Sequence, residues 1–290
     1  MSWKAIHIFY YDNQDMILRE GINAIMMKNQ IENYFFIRYW ENGPHIRLRM
    51  KDISEEVLGK VKSEIRQFIE DNESKVQVNK DEYRKMAQEF SKKENITADN
   101  MELIGNNTIK DWQYIPELEK YNGIEGVKIA EKEFVYSSKL VLLLLQTKPS
   151  QAKKYFLSAV FACMLIHYLY TENSEKEIFL EKYIKYWKYF TGYSEEALKR
   201  LKDNTEKYPV SVDALRKVKE FYENQFLAVL HKEVFSELKE LVPDNAYILE
   251  RFCFNFIHLF NNRIGMSPAE EVIMGYLGIK MVKEGGDRCD

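Results

Sequence analysis

With 290 residues, 46% hydrophobic and 14% aromatic, the chain can build a sizeable core as one large domain or two small ones. Its 42 Lys+Arg against 45 Asp+Glu exclude the global basic excess behind non-specific nucleic-acid binding, so any basic site is local. Three cysteines (Cys163, Cys253, Cys289), odd in number and with no C-x-x-C pair, exclude a disulfide framework and a structural zinc.

The N-terminus, MSWKAIHIFYYDNQD, lacks the basic stretch and long apolar core of a signal peptide. The longest apolar run, Ala159 to Ile166, falls short of a membrane span. The expectation is a soluble, cytoplasmic protein.

Trp3 to Tyr11 reads as a first strand. A helix follows to about Lys28, capped by Asp12 or Asp15, with Ile17, Leu18, Ile22 and Ile25 on its apolar face. Tyr34 to Met50 reads as a β-hairpin. Tyr34 to Trp40 is dense in aromatic and β-branched residues, and Glu41-Asn42-Gly43-Pro44 is turn chemistry. His45 to Met50 alternates: Ile46, Leu48 and Met50 point one way, and His45, Arg47 and Arg49 the other. Such a cationic row suits a carboxylate or phosphate that arginine grips with two parallel bonds; it also fits an edge strand with a solvated basic face. Ser54 starts a helix to about Asn72, and Lys75 to Asn79 alternates like a short fourth strand. The order β-α-β-β-α-β predicts a small sheet with helices on one face, of ferredoxin-like type. Residues 80 to 110 read as an insertion or surface lobe: a short helix around Asp81 to Lys92, polar stretches such as ENITADN, and a strand returning at Ile109 to Ile115.

After Gly126 the chain reads as helix after helix: Val127–Thr147, Gln151–Thr171, Lys176–Thr191, Ser194–Lys207, Val212–Leu241, Asn245–Asn262 and Pro268–Lys283. The fold class is α+β. A sheet-containing subregion (1–126) precedes a helical subregion (127–290) within one compact unit, and the tail EGGDRCD is disordered. The helix Asn245–Asn262 is apolar nearly all round and is expected to be buried. Yet Arg251, Asn255, His258 and Asn262 recur along one face. Either the stripe lines a wet pocket with His258 as its titratable group, or His258 is a satisfied interior histidine. His7 and His167 read as structural, and His231 as solvated. The Tyr183–Tyr193 aromatic cluster reads as helix packing. No metal spacing and none of the common nucleotide-binding or hydrolase signatures is present.

Three segments carry a family resemblance: FFIRYWENGPHIRLR (35–49), YIPELEKYNG (114–123) and IHLFNNRIGMSPAEE (257–271). Together they resemble the small C-terminal domain of lanthipeptide dehydratases, which also occurs as a stand-alone protein in thiopeptide and related clusters. That resemblance implies a lyase. A glutamyl-tRNA-dependent partner esterifies Ser or Thr of a precursor peptide (leader plus core), and this domain eliminates glutamate to leave a dehydroamino acid. It implies Arg47 and Arg49 on the glutamyl carboxylates and departing charge, Lys120 adding to that stabilisation, and His258 shuttling the proton. His45, Arg38, Asn262, Arg263 and Arg251 complete the expected substrate-binding set. At the family's E-R-Y-G-G segment the chain departs, with Lys120 for Arg and Asn122 for the first Gly. The scheme the resemblance implies requires no cofactor and no direct use of nucleic acid by this chain, and the residues themselves show no metal spacing and no membrane span. Homodimerisation is the oligomeric expectation. Relatives in thiopeptide clusters instead join two dehydroalanines in a formal [4+2] cycloaddition, giving a pyridine or dehydropiperidine ring. A third reading is a non-catalytic subunit that binds the precursor peptide, for instance along a sheet edge.

Overall fold

The computed structural model describes residues 2–94, 102–224, 230–243 and 245–285. Most of ENITADN, the His231 side chain, Cys289 and most of the EGGDRCD tail lie outside the described residues. Contacts divide the chain into two compact units, Met1–Pro116 and Glu117–Asp290.

The first unit runs β1 (Trp3–Phe9), α1 (Gln14–Met16), a π-helical turn (Ile17–Ile22), α2 (Asn23–Lys28), β2 (Tyr34–Tyr39), β3 (His45–Lys51), α3 (Glu55–Asp71), α4 (Lys80–Glu94) and β4 (Thr108–Trp112). Its antiparallel sheet has the order β2-β3-β1-β4, the ferredoxin-like arrangement. The alternation of β3 is realised: Ile46, Leu48 and Met50 are fully buried, beside Ile6 and Ile8 of β1 and Phe36 of β2. Ser54 caps α3 by accepting from Val57 N–H at 3.2 Å, and Leu58, Val61, Ile65 and Ile69 form that helix's buried stripe.

Two expectations change in this unit. The first helix is capped by Asn13, whose side chain accepts from Asp15 N–H at 3.0 Å, because Asp12 turns back to the N–H of Asn13 instead. Lys75–Asn79 is not a strand; the fourth strand is β4. Asparagine side chains take the backbone groups that a ladder would use. Asn106 Nδ2 donates to Val76 O at 2.9 Å, Asn107 Nδ2 donates to Ser74 O at 2.9 Å, and Asn107 Oδ1 accepts from Ser74 N–H at 3.1 Å.

The segment between β3 and β4 has a structural task. Tyr83 of α4 is buried; its hydroxyl accepts from Gly43 N–H at 2.9 Å and donates to Trp40 O at 3.1 Å. Ile104 N–H donates to Asn42 O at 2.9 Å, and the Tyr11 hydroxyl donates to Ile104 O. These bonds pin the hairpin turn, where Asn42 (φ +60°) and Gly43 (φ +112°) supply the left-handed backbone.

The second unit is helical: α5 (Gly123–Gln146), α6 (Gln151–His167), α7 (Asn173–Thr191), α8 (Glu195–Glu206), α9 (Val212–Tyr222), a π-helical turn (Leu230–Phe235), α10 (Ser236–Leu241), α11 (Ala246–Ile264) and α12 (Pro268–Gly285). Ser150, Ser194 and Ser211 cap α6, α8 and α9. Of the expected Val212–Leu241 helix, α9, the π-helical turn and α10 are described, and residues 225–229 lie outside the described residues. Phe252, Phe256 and Phe260 bury one side of α11, with Phe260 stacked on Phe161 of α6 at 3.9 Å. The other side of α11 is not covered throughout, since Tyr247 is 71% exposed. On α12, Gly275 and Gly278 let α7 approach, bringing Ile184 and Leu180 where a Cβ would stand. Tyr121 packs on Phe134 and Phe252, which ties residues 117–122 to the helices. Among the described residues no helix is long and apolar enough to cross a membrane.

The second face of the sheet is cationic and aromatic. Trp3, Ala5, His7 and Phe9 of β1 stand opposite Lys51, Arg49, Arg47 and His45 of β3. Arg49 lies near the rings of Phe35 and Tyr114, at 5.2 and 5.1 Å, and Lys51 lies 5.3 Å from that of Trp3. His7 is sandwiched between His45 (4.6 Å) and Trp112 (4.4 Å). Burial, then the neighbouring His45, Arg47 and Arg49, pushes His7 down to about 2. Burial, with Arg47 and Arg49 adding to it, brings His45 to about 4 although its bond to Gly43 opposes the shift. Both imidazoles are therefore neutral at pH 7. The unfolded chain binds these two protons near pH 6.5 and the folded chain does not, so stability falls as pH drops below about 6.5. The loss approaches about 1.4 kcal/mol per pH unit per histidine, ending near pH 4 for His45 and continuing towards pH 2 for His7. Urea unfolding at pH 7.5, 6.5 and 5.5 should show this slope, and His7→Gln with His45→Gln should flatten it; an unchanged slope would contradict the assignment.

Candidate functional site

Two constructions of polar side chains stand out, one in each unit. In the helical unit the centre is His258. Its Nδ1 lies 2.6 Å from Oε1 of Glu271, whose side chain is 1% exposed, while the imidazole is 29% exposed. The other carboxylate oxygen, Oε2, accepts from the Tyr183 hydroxyl and, at 3.0 Å, from Asn261 Nδ2. Both Glu271 oxygens are thus committed. A buried carboxylate is costly unless its lone pairs are filled, and here three donors fill them. Burial, then the adjacent Glu271 charge and its hydrogen bond, raises the Tyr183 hydroxyl well above its ordinary value, which keeps Tyr183 a donor. Trp187 lies against the imidazole with 4.8 Å between ring centres.

The arrangement follows from helix periodicity. Tyr183 and Trp187 are one turn apart on α7, Glu271 sits on the buried stripe of α12 with Met274 and Gly275, and His258 and Asn261 are one turn apart on α11. A carboxylate on Nδ1 assigns the Nδ1–H tautomer, which leaves the Nε2 lone pair as the imidazole's remaining acceptor. Such a pair can take up a proton at Nε2 while Glu271 stabilises the imidazolium.

In the sheet unit the centre is Arg47. Nη2 pairs with Glu41 Oε2 at 2.6 Å, Nε donates to His45 Nε2 at 3.2 Å, and the guanidinium carbon stands 3.6 Å from the centre of the Tyr39 ring. His45 Nδ1 donates to Gly43 O at 2.8 Å, which makes Nε2 the acceptor. His45 therefore holds Arg47 in place.

Arg38 projects from the opposite face of the sheet, where it pairs with Asp15 at 2.5 Å. Lys120 lies 3.4 Å from Glu117 and beside the Tyr121 ring. Arg251 and Asn262 are half-buried on α11. Arg263 is fully buried; its Nη1 donates to Ser137 Oγ at 2.6 Å and lies 3.9 Å from Glu133. Burial raises Glu133 to about 7 and lowers Arg263 to about 10, each opposed by the other's charge. The sequence reading missed Glu271, Tyr183, Asn261 and Glu41. Their available signal was a glutamate on an apolar helix stripe and an acid at the tip of a basic hairpin. A groove of about 400 Å³ between α7, α8 and α12 is lined by both lysines and glutamates, among them the Lys188–Glu195 ion pair, and does not include His258. Among the described residues no group of three His, Cys, Asp or Glu could hold a metal ion.

Comparison with known proteins supplies the context. The lantibiotic biosynthesis dehydratase C-terminal family matches residues 3–281. The epidermin biosynthesis protein EpiB of Staphylococcus epidermidis is 27% identical over 307 residues, covering 100% of this chain and 27% of that protein. The chain thus spans about a quarter of the length of the curated relative it matches. Among solved structures, the pyridine synthase TbtD from thiomuracin biosynthesis superposes with TM-score 0.76 at 14% identity, covering 98% of both chains. The tRNA-dependent lantibiotic dehydratase MibB from Microbispora sp. 107891 gives 0.62 at 16% identity, covering 100% of this chain and 29% of that one. TsrL gives 0.58 at 14% identity, covering 98% of this chain and 95% of that one. These structural likenesses establish a shared fold. By the match over nearly its whole described length, this chain belongs to the lantibiotic biosynthesis dehydratase C-terminal family.

Proposed function

We propose that this chain is an enzyme of ribosomal-peptide natural-product biosynthesis that acts on a dehydrated precursor peptide, joining two dehydroalanines in a formal [4+2] cycloaddition. The likeness to a pyridine synthase over 98% of each chain carries this reading. The Glu41–Arg47 pair supports it, because a fork already holding a carboxylate is a poor receptor for a second one. Ring formation needs a proton moved from an amide nitrogen to its oxygen to make the four-atom diene, and a proton later given to a departing hydroxyl. His258 is the group for both transfers: Nε2 takes the amide proton and returns it to the oxygen while Glu271 holds the imidazolium in between, and later Nε2 takes a ring C–H proton and gives it to the departing hydroxyl, which leaves as water. No cofactor or metal enters this scheme.

Glutamate elimination is the second reading, favoured by the 27% identity to an epidermin biosynthesis protein and by Arg47, Arg49 and His258 standing at the motif positions. There His258 would take the Cα proton of an O-glutamylated Ser or Thr, and glutamate would depart. A glutamyl-tRNA-dependent partner would then supply the substrate. Under both readings the substrate is a precursor peptide and the compartment is the cytoplasm; a homodimer is the proposed assembly.

Two synthetic peptides separate the readings by mass spectrometry. A peptide with two suitably spaced dehydroalanines should gain a ring, seen as loss of water or leader and a new near-ultraviolet absorbance. A peptide with one O-glutamyl-serine should keep its glutamate. Release of glutamate with no ring formed would reverse the assignment. Whichever reaction occurs, His258→Ala should slow it about 10²–10⁴-fold. Glu271→Gln should lower kcat about 10–100-fold with KM nearly unchanged, because it acts through the imidazole and not on the peptide. A Glu271→Gln effect confined to KM would contradict the proton-shuttle assignment.

A further inference from the structure

We infer that Glu41 is a resident carboxylate that fills the arginine fork on the sheet and so selects against substrates carrying a free carboxylate at that point. The inference deepens the ring-forming reading and rests on it where choice of reaction is concerned; the binding property stands apart from turnover.

The geometry of one guanidinium carries the argument. Arginine grips a carboxylate with two teeth along either of two edges, Nη1 with Nη2 or Nε with Nη2. Each edge uses one of the two N–H groups of Nη2, and in Arg47 one of them is taken by Glu41 Oε2 at 2.6 Å. The Nε edge is closed by His45 Nε2 at 3.2 Å, and one face of the plane lies on the Tyr39 ring at 3.6 Å. An incoming carboxylate therefore meets a guanidinium whose charge is already balanced and whose Nε edge is closed, and it competes with Glu41 for Nη2.

Glu41 is held where it is. It begins the turn whose Gly43 N–H donates to the Tyr83 hydroxyl and whose Asn42 carbonyl accepts from Ile104. The acid and Arg47 lie on the same short hairpin, so their pairing is intramolecular and an external carboxylate competes against a high effective concentration. Side-chain exposures of 16% for Arg47 and 28% for Glu41 leave the pair reachable but partly shielded, where a charge-assisted bond outweighs one at the open surface. The ligand class follows from the fork: a free carboxylate, for which glutamate and an O-glutamylated peptide serve as probes.

Isothermal titration of the full chain with free glutamate, and with a peptide bearing one O-glutamyl-serine, tests this. Glu41→Ala should bind both about ten- to hundredfold more tightly than wild type, the factor set by one charge-assisted hydrogen bond. Glu41→Gln, which keeps the shape and drops the charge, should give a smaller gain and serves if the alanine variant does not fold by its melting curve. Adding Arg47→Gln to either variant should abolish the gain. Equal affinity in wild type and a folded Glu41 variant would overturn the inference, as would a gain that survives loss of Arg47. The titrations contain no reaction. A folded Glu41 variant that gains affinity while the wild-type chain forms no ring from a two-dehydroalanine peptide would therefore sink the proposed reaction and leave the carboxylate plug standing.

Discussion

A carboxylate with 1% of its side chain exposed, in contact with a histidine that is 29% exposed, is the constraint on which the helical unit depends. Leaving Glu271 unpaired there would cost several kcal/mol, so α7, α11 and α12 must deliver Tyr183, Asn261 and His258 to it together. That requirement explains the close approach of α7 to α12 over Gly275 and Gly278, and the Phe260–Phe161 stack that holds α11 against α6. It also gives one half-exposed imidazole a single defined tautomer.

The sheet unit solves a different problem. A row of cations on one face would repel itself if left bare. Here Arg47, Arg49 and Lys51 lie near aromatic rings, Glu41 balances Arg47, and the two histidines that would add charge are kept neutral by burial. The resulting face is organised around arginine, with one carboxylate resident on it. The residues between β3 and β4 contribute by fixing the turn that carries the balancing acid.

Much of this was legible in the sequence. Period-two alternation in β3 gave both faces of that strand, since a slip of one residue would have exposed Ile46, Leu48 and Met50. Ser54 and Ser194 marked helix starts because their hydroxyls replace a missing backbone acceptor. His258 emerged from its spacing with Arg251, Asn255 and Asn262, although its decisive partner lay elsewhere. Glu271 is separated from it by a helix end and a turn, and only the packing of α12 brings them together. Lys75–Asn79 misled because alternating valines signal a strand, whereas Asn106 and Asn107, distant in sequence, had already claimed the backbone. Arg38 and Arg263 carry charges that sequence alone associates with ligands. In the fold one braces the sheet against Asp15, and the other is enclosed with Glu133 and Ser137.

Glu271 is proposed to fix His258 as the proton-carrying group, and the most direct measurement is the ¹⁵N spectrum of the His258 imidazole. Specific labelling, with His258→Gln to assign the signal, should show a ring protonated at Nδ1 with the strongly deshielded proton of a short hydrogen bond. In Glu271→Gln the ring should change to a mixture of tautomers while the far-ultraviolet spectrum stays the same. A wild-type ring protonated at Nε2, or one averaging between tautomers like a free histidine, would contradict the account.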